Sequence, residues 1–194
     1  VVKEKIRRGT GLILICVGIF LIGFTLYNKI NTSNKQKELQ RVLQDVIKDE
    51  GSEGKEPVTV DGVQPIALIE IPSIGLSQGL VEGITDDILQ YYLGHFEGTA
   101  NPGEKGNFAV AGHRVSNYSE AFINLYKAKK GDEIIVKNKG KEFTYKIEDS
   151  FVVSPDDVDV LENTKDATIT LVTCTVGAKE RYIVKGSLVS TKDI

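Results

Sequence analysis

The stretch TLVTC closes on Cys174, one of two cysteines in a chain of 194 residues. The other, Cys16, lies within an uncharged apolar run and is poorly placed to pair with it. The chain also has two histidines, His95 in LGHFEGTA and His113 in AVAGHRVSNYS. Arg181 follows Cys174 by seven residues, across TVGAKE. A thiol attacks a peptide carbonyl as thiolate, and a nearby imidazolium or guanidinium favours that form. His113 could protonate a leaving amine and then take a proton from an incoming nucleophile. Arg181, charged at any working pH, could steady an oxyanion or hold a substrate backbone. No acid adjoins His113 in sequence, so no orienting carboxylate is visible.

Each of these residues has a plainer reading. A lone strand cysteine usually packs as a small apolar side chain. A histidine in a strand-end loop is often structural or solvated, and an arginine opening a strand is usually a surface charge. One cysteine and two histidines without short ligand spacing make a weak zinc site. The acidic run Asp156-Asp157-Val158-Asp159 follows Pro155. It reads as a solvated turn, because it lacks the glycine and distal glutamate of an EF-hand loop. Residue types and spacing alone leave these alternatives open.

The elements that must carry the three residues are short strands. Runs rich in β-branched and aromatic residues fall at 66–71, 108–112, 133–137, 142–149, 151–154, 169–174 and 181–189. Turn signals separate them, among them Pro72, Pro102-Gly103, Gly131-Asp132 and Pro155. Two short helices are expected at 86–92 and 119–127. Many short strands with short connections argue for a closed β-barrel. His113 then follows one strand, Cys174 ends another and Arg181 begins the next. Strand ends and their loops are where such a scaffold exposes reactive groups.

The first third differs. Residues 10–28, TGLILICVGIFLIGFTLYN, carry no charge. As a helix they span roughly 28 Å, close to the hydrocarbon thickness of a bilayer. The run is apolar all round, unlike a core helix, and its exit lacks the small residues of a cleavage site. It reads as a retained single-pass anchor. Lys3, Lys5, Arg7 and Arg8 precede it against one acid, Glu4, which favours a cytoplasmic N-terminus. The whole chain carries −3, so the part beyond this +3 tail carries −6, 20 cations against 26 acids. That balance argues against nucleic acid and anionic lipid as partners. Cys174 then stands as an unpaired thiol in a compartment where disulfides normally form. Residues 33–50 follow, with Ser33 as a possible cap and Leu39, Val42, Leu43, Val46 and Ile47 at helical spacing. They read as an amphipathic juxtamembrane helix, and residues 51–59 as a flexible linker. The expected organisation is a basic tail at 1–9, the anchor at 10–28, helix and linker at 29–59, and a barrel domain at 60–194.

Taken in order, IEIPSIGL, VEGITDDIL, GHFEGTANPGEKGN, AVAGHR, GDEIIV and ITLVTCTVGAKERYIVKG resemble the sortases, membrane-anchored cysteine transpeptidases of Gram-positive bacteria. The resemblance covers about residues 66–189. It implies a mostly β fold, an eight-stranded barrel, with His113, Cys174 and Arg181 as catalytic residues and no cofactor. It implies cleavage of an LPXTG-like sorting signal between Thr and Gly through a thioester on cysteine. The acyl group would pass to an amine of lipid II or peptidoglycan, with LPXTG-bearing surface proteins as the other partner. Ala111 and Ile183 match apolar groove positions for the Leu-Pro part of the signal, and Val172 and Thr173 flank the nucleophile. Plain core packing is the competing reading of Ala111, Val172 and Ile183. The short turn before Arg181 and the N-terminal anchor resemble class A, with class D as the rival. The N-terminal Asp-Pro-aromatic lid and second anchor of pilus-polymerising members are not seen. Some class A members bind calcium ahead of the histidine strand, but the matching places hold Gly98, Asn101 and Lys105. Calcium activation is therefore not expected. An anchored, inactive barrel that only binds sorting signals is the alternative function. A fold-back of residues 33–50 over the groove is a further possibility.

Overall fold

The computed structural model describes residues 2–48, 59–60, 62–115 and 121–194. Eight strands form its main body: β1 (Pro65–Ile71), β2 (Leu76–Glu82), β3 (Leu93–His95), β4 (Gly106–Ala111), β5 (Glu133–Asn138), β6 (Lys141–Val153), β7 (Ala167–Cys174) and β8 (Arg181–Asp193). They close in the order β1-β2-β3-β4-β7-β8-β6-β5, with β5 pairing back to β1. Closure satisfies the backbone groups that an open sheet would leave at its edges. The expected eight-stranded barrel is thus present.

The strand runs read from sequence fall within β1, β4, β5, β6, β7 and β8, with small differences at their ends. β6 joins two of those runs into one strand. A register irregularity between Ile147 and Asp149 lets Glu148 bulge out of the pairing with β8. The sequence reading lacks β2 and β3. β2 contains Ser77, Gln78 and Gly79, and β3 has only three residues, so local propensity is weak in both. Pairing with β1 and β4 makes them strands nonetheless. Inward residues alternate along β1, where Pro65, Ala67, Ile69 and Ile71 are buried. Ala67, Ile69 and Ile71 meet Leu80, Leu93, Phe108, Val110, Ile134, Val136, Tyr145, Ile169, Leu171 and Val184 in one core.

The helix expected at 86–92 appears as α2 (Asp86–Leu89). The helix expected at 119–127 is reduced to a 3-10 turn at Leu125–Lys127, and residues 119–120 lie outside the described residues. Helix α1 runs unbroken over Val2–Lys48, so Ser33 is interior to it and not a cap. An apolar run and an amphipathic run of good helix formers meet there without a Gly or Pro break. This is a helix long and apolar enough to cross a membrane. Toward its end, Leu39 and Leu43 are fully buried against Val60, Val81 and Tyr92, with Leu68, Ile88 and Tyr91 beside them. These side chains seat α1 on the outside of β1 and β2, so its described residues do not cross the groove described below. The expected linker at 51–59 lies outside the described residues except for Thr59.

Candidate active site

Topology brings the three candidate residues to one end of the barrel. β4 and β7 are parallel, with Ala111 opposite Val172. Parallel neighbours finish at the same end, so the chain after β4 and the last residue of β7 emerge together. His113 follows two residues after the last pair and lines the same groove as Cys174. β7 and β8 are antiparallel, and Cys174 pairs directly with Arg181. The intervening turn closes through Thr175 N–H to the Glu180 carbonyl at 3.0 Å and Ala178 N–H to the Thr175 carbonyl at 3.0 Å.

The backbone leading to His113 is clamped to the nucleophile strand. Gly112 N–H donates to the Val172 carbonyl at 3.1 Å, and the Thr173 hydroxyl donates to the Gly112 carbonyl at 2.7 Å. The His113 carbonyl accepts from Phe122 N–H at 3.1 Å. Gly112 has no room for a side chain. A Cβ there would lie 2.4 Å from Leu93 Cδ2 and 2.6 Å from Phe122 Cδ2. The GH pair in AVAGHR therefore has a packing reason as well as a chemical one.

His113, Cys174 and Arg181 are each half-buried, and all three line one groove of about 350 Å³. Cys174 is a free thiol. The Arg181 guanidinium lies over the turn, 3.5 Å from the carbonyls of Ala178 and Glu180. Ala111, Val172, Thr173 and Ile183 also line the groove. Ile183 is fully buried and Val172 is half-buried, so they form floor and side. Thr173 is almost wholly buried with its hydroxyl committed to Gly112, so it ties β7 to the chain entering His113.

The sequence reading did not place the groove's two flanks. Ile84, Asp86, Leu89 and Phe96 line one side. Val153, Pro155, Asp157, Val158, Val160 and Leu161 line the other. The acidic run read as a solvated turn does form a turn, and Asp156, Asp157 and Asp159 are exposed. Its apolar neighbours Val158 and Val160 face the groove, a role that the alternating D-V-D-V pattern hints at only in retrospect. A half-buried thiol, an imidazole and a guanidinium lining one groove suit acyl transfer through a covalent intermediate. Among the described residues, no group of three or more His, Cys, Asp or Glu side chains is placed to hold a metal.

His95 is the other histidine, and it is structural. It is 3% exposed, with Nδ1 3.0 Å from Glu82 Oε1 and Nε2 2.9 Å from Thr99 Oγ1 and 3.1 Å from the Ala100 carbonyl. These contacts fix the turn that leads from β3 toward β4.

Comparison with known proteins agrees with this geometry. The Sortase domain family matches residues 69–189. Sortase A of Bacillus anthracis is 32% identical, over 98% of this chain and 98% of its own length. A Clostridium perfringens sortase D5 transpeptidase superposes with a TM-score of 0.72 at 39% identity, covering 81% of this chain and 99% of that one. Sortase E1 of Streptomyces coelicolor, solved with a tripeptide in its active site, gives 0.62 at 33% identity, covering 67% and 91%. The relatives thus include both a sortase A and a sortase D. A closed eight-stranded barrel, a free thiol paired across strands with an arginine, and a match over most of the barrel place this chain in the sortase family of cysteine transpeptidases.

Proposed function

We propose that this sortase cleaves an LPXTG-like sorting signal between Thr and Gly and transfers the acyl part to an amine of a cell-wall precursor. The observation that carries the reading is the convergence of His113, Cys174 and Arg181 on a single apolar-walled groove. The Cys174 thiolate attacks the threonine carbonyl carbon, and Arg181 faces the developing oxyanion. The C–N bond breaks as His113 gives its proton to the leaving glycine amine. An acceptor amine then attacks the thioester and yields its proton to His113, and the C–S bond breaks to return the thiolate. Ala111, Val172 and Ile183 supply apolar contact for the Leu-Pro part, and Thr173 holds the strand behind them. The tripeptide in the active site of the Streptomyces coelicolor relative supports a peptide in this groove. Residues 10–28 act as the anchor, 1–9 stay in the cytoplasm, and residues 60–194 act outside, as the basic flank favours.

Incubating the protein with a sorting peptide and candidate amines, with mass spectrometry of the products, tests the reading. The expected product joins the peptide's Leu-Pro-X-Thr part to the amine, and Cys174→Ala forms neither thioester nor product. Full transpeptidation by Cys174→Ala would overturn the mechanism.

A further inference from the structure

Residues 154–166 connect β6 to β7 and carry the groove's far flank, with Val158, Val160 and Leu161 facing it. The segment contains no strand, only a 3-10 turn at Asp159–Leu161. Its internal bonds are local: Leu161 N–H to the Val158 carbonyl at 2.9 Å and Glu162 N–H to the Asp159 carbonyl at 3.1 Å. Local turns do not by themselves hold a flank at a fixed distance from a barrel. Among the described residues, the hydrogen bonds that tie this segment to β4 all come from Gly106 and Asn107.

Asn107 is 1% exposed and every polar atom of its side chain is committed. Its Nδ2 donates to the Val160 carbonyl at 3.0 Å, and its Oδ1 accepts from the Thr170 hydroxyl at 2.7 Å. Thr170 is equally buried. The Asn107 backbone N–H donates to Asn163 Oδ1 at 3.1 Å, and Gly106 N–H donates to the Asp166 carbonyl at 3.2 Å. Gly106 makes the close approach possible. Its φ is +125, and a Cβ there would fall 2.3 Å from Asn163 Oδ1. A buried amide with one donor on a loop carbonyl and one acceptor on a neighbouring strand is costly to disturb, because each partner would be left unpaired. Asn107 also stands four residues before the end of β4, away from the reacting atoms.

We propose that Asn107 is a positioning residue for the substrate groove. Through Val160 and Asn163 it sets how closely Val158, Val160 and Leu161 approach the β7 and β8 side, and so how tightly the groove grips the apolar part of a sorting peptide. This rests on the reading that the groove takes that peptide. Asn107→Asp keeps the acceptor for Thr170 but turns the donor facing the Val160 carbonyl into a second acceptor. The flank loses its bond at Val160 and keeps the backbone bonds to Asn163 and Asp166, while His113, Cys174 and Arg181 keep their setting through Gly112, Thr173 and the β7–β8 pairing.

The test measures kcat and KM for a sorting peptide in wild type, Asn107→Asp and Asn163→Ala, together with hydrogen exchange at the Leu161 and Glu162 amides. Asn163 is exposed, so its variant keeps the fold if Asn107→Asp does not. The expected result is a KM raised about tenfold in Asn107→Asp, which corresponds to about 1.4 kcal/mol. Asn163→Ala raises it about threefold. In both, kcat stays within about twofold and the two amides exchange faster than in wild type. Unchanged KM in the variants, or a fall in kcat at constant KM, overturns the proposal. If the wild type turns over no sorting peptide, the substrate reading falls, and exchange alone decides. Unchanged exchange in Asn163→Ala then removes the tie as well.

Discussion

The molecule holds two histidines on neighbouring parts of the barrel, and they differ in everything except side-chain type. His95 ends β3 and pairs with Val110 of β4, while His113 lies two residues beyond the end of β4. The His95 ring is enclosed, with acceptors facing both nitrogens: the Glu82 carboxylate on one, the Ala100 carbonyl and Thr99 oxygen on the other. The Thr99 hydroxyl already donates to the Phe96 carbonyl at 2.8 Å. The ring of His113 is half-exposed and, among the described residues, has no hydrogen-bond or ion-pair partner, while its backbone is tightly held. A general acid–base group must gain and lose a proton within each turnover. A ring enclosed at 3% exposure cannot reach a substrate to do this. A ring on a fixed backbone, open to a groove, can.

The largest expected effect separates the two. His113→Ala lowers kcat/KM by on the order of 10³-fold with an unchanged thermal midpoint, because it removes proton transfer and no packing. Steady-state kinetics beside thermal unfolding checks it, and a comparable fall in His95→Leu would break the contrast. His95→Leu instead lowers stability by about 2–4 kcal/mol, by stranding the partners of a buried ring. Activity per folded molecule stays within a few-fold, as denaturant titration with kinetics reads out.

Tyr145 sharpens the same contrast with a third ring. It is fully buried and accepts from Gly103 N–H at 2.7 Å. Burial pushes its pKa up to about 12, with the Gly103 bond opposing. A raised pKa gives stability that is complete below the unfolded value near 10 and is lost as pH rises toward 12. The expected loss over that window is about 2 kcal/mol, and Tyr145→Phe removes this pH dependence. The smallest effect is at Glu82, whose side chain is a third exposed. Glu82→Gln keeps an acceptor for His95 Nδ1 and costs about 1 kcal/mol or less. A loss as large as that of His95→Leu would mean that the carboxylate charge, not ring packing, holds the turn.

Much of the site was legible in order along the chain, less so in depth. Cys174, His113 and Arg181 are visible because strands of β-branched residues end at chemically unusual side chains. The flanks of the groove were not visible. Val158 and Val160 sit in an acidic turn whose composition says only that it is solvated, and a buried hydrogen bond to the Val160 carbonyl comes from Asn107, 53 residues earlier. β2 and β3 escaped for a related reason. Their residues are poor strand formers, and only pairing across the barrel makes them strands. The helix boundary at Ser33 was misplaced because a good cap residue is also tolerated in mid-helix when the flanks on both sides favour helix.

By itself, the sequence determined the chemistry available and the order in which it arrives. It set a thiol seven residues before an arginine, a histidine after a strand, and an uncharged run long enough for a bilayer. It also set the alternating burial of β1, whose buried residues fall at every second place, whereas β4 is buried throughout. The tertiary structure decided which strands neighbour one another. The parallel pairing of β4 with β7 across an intervening hairpin is a non-local choice, made by the packing of one closed core and not by any local preference. That pairing brings an imidazole and a thiol to one groove at the same end of the barrel.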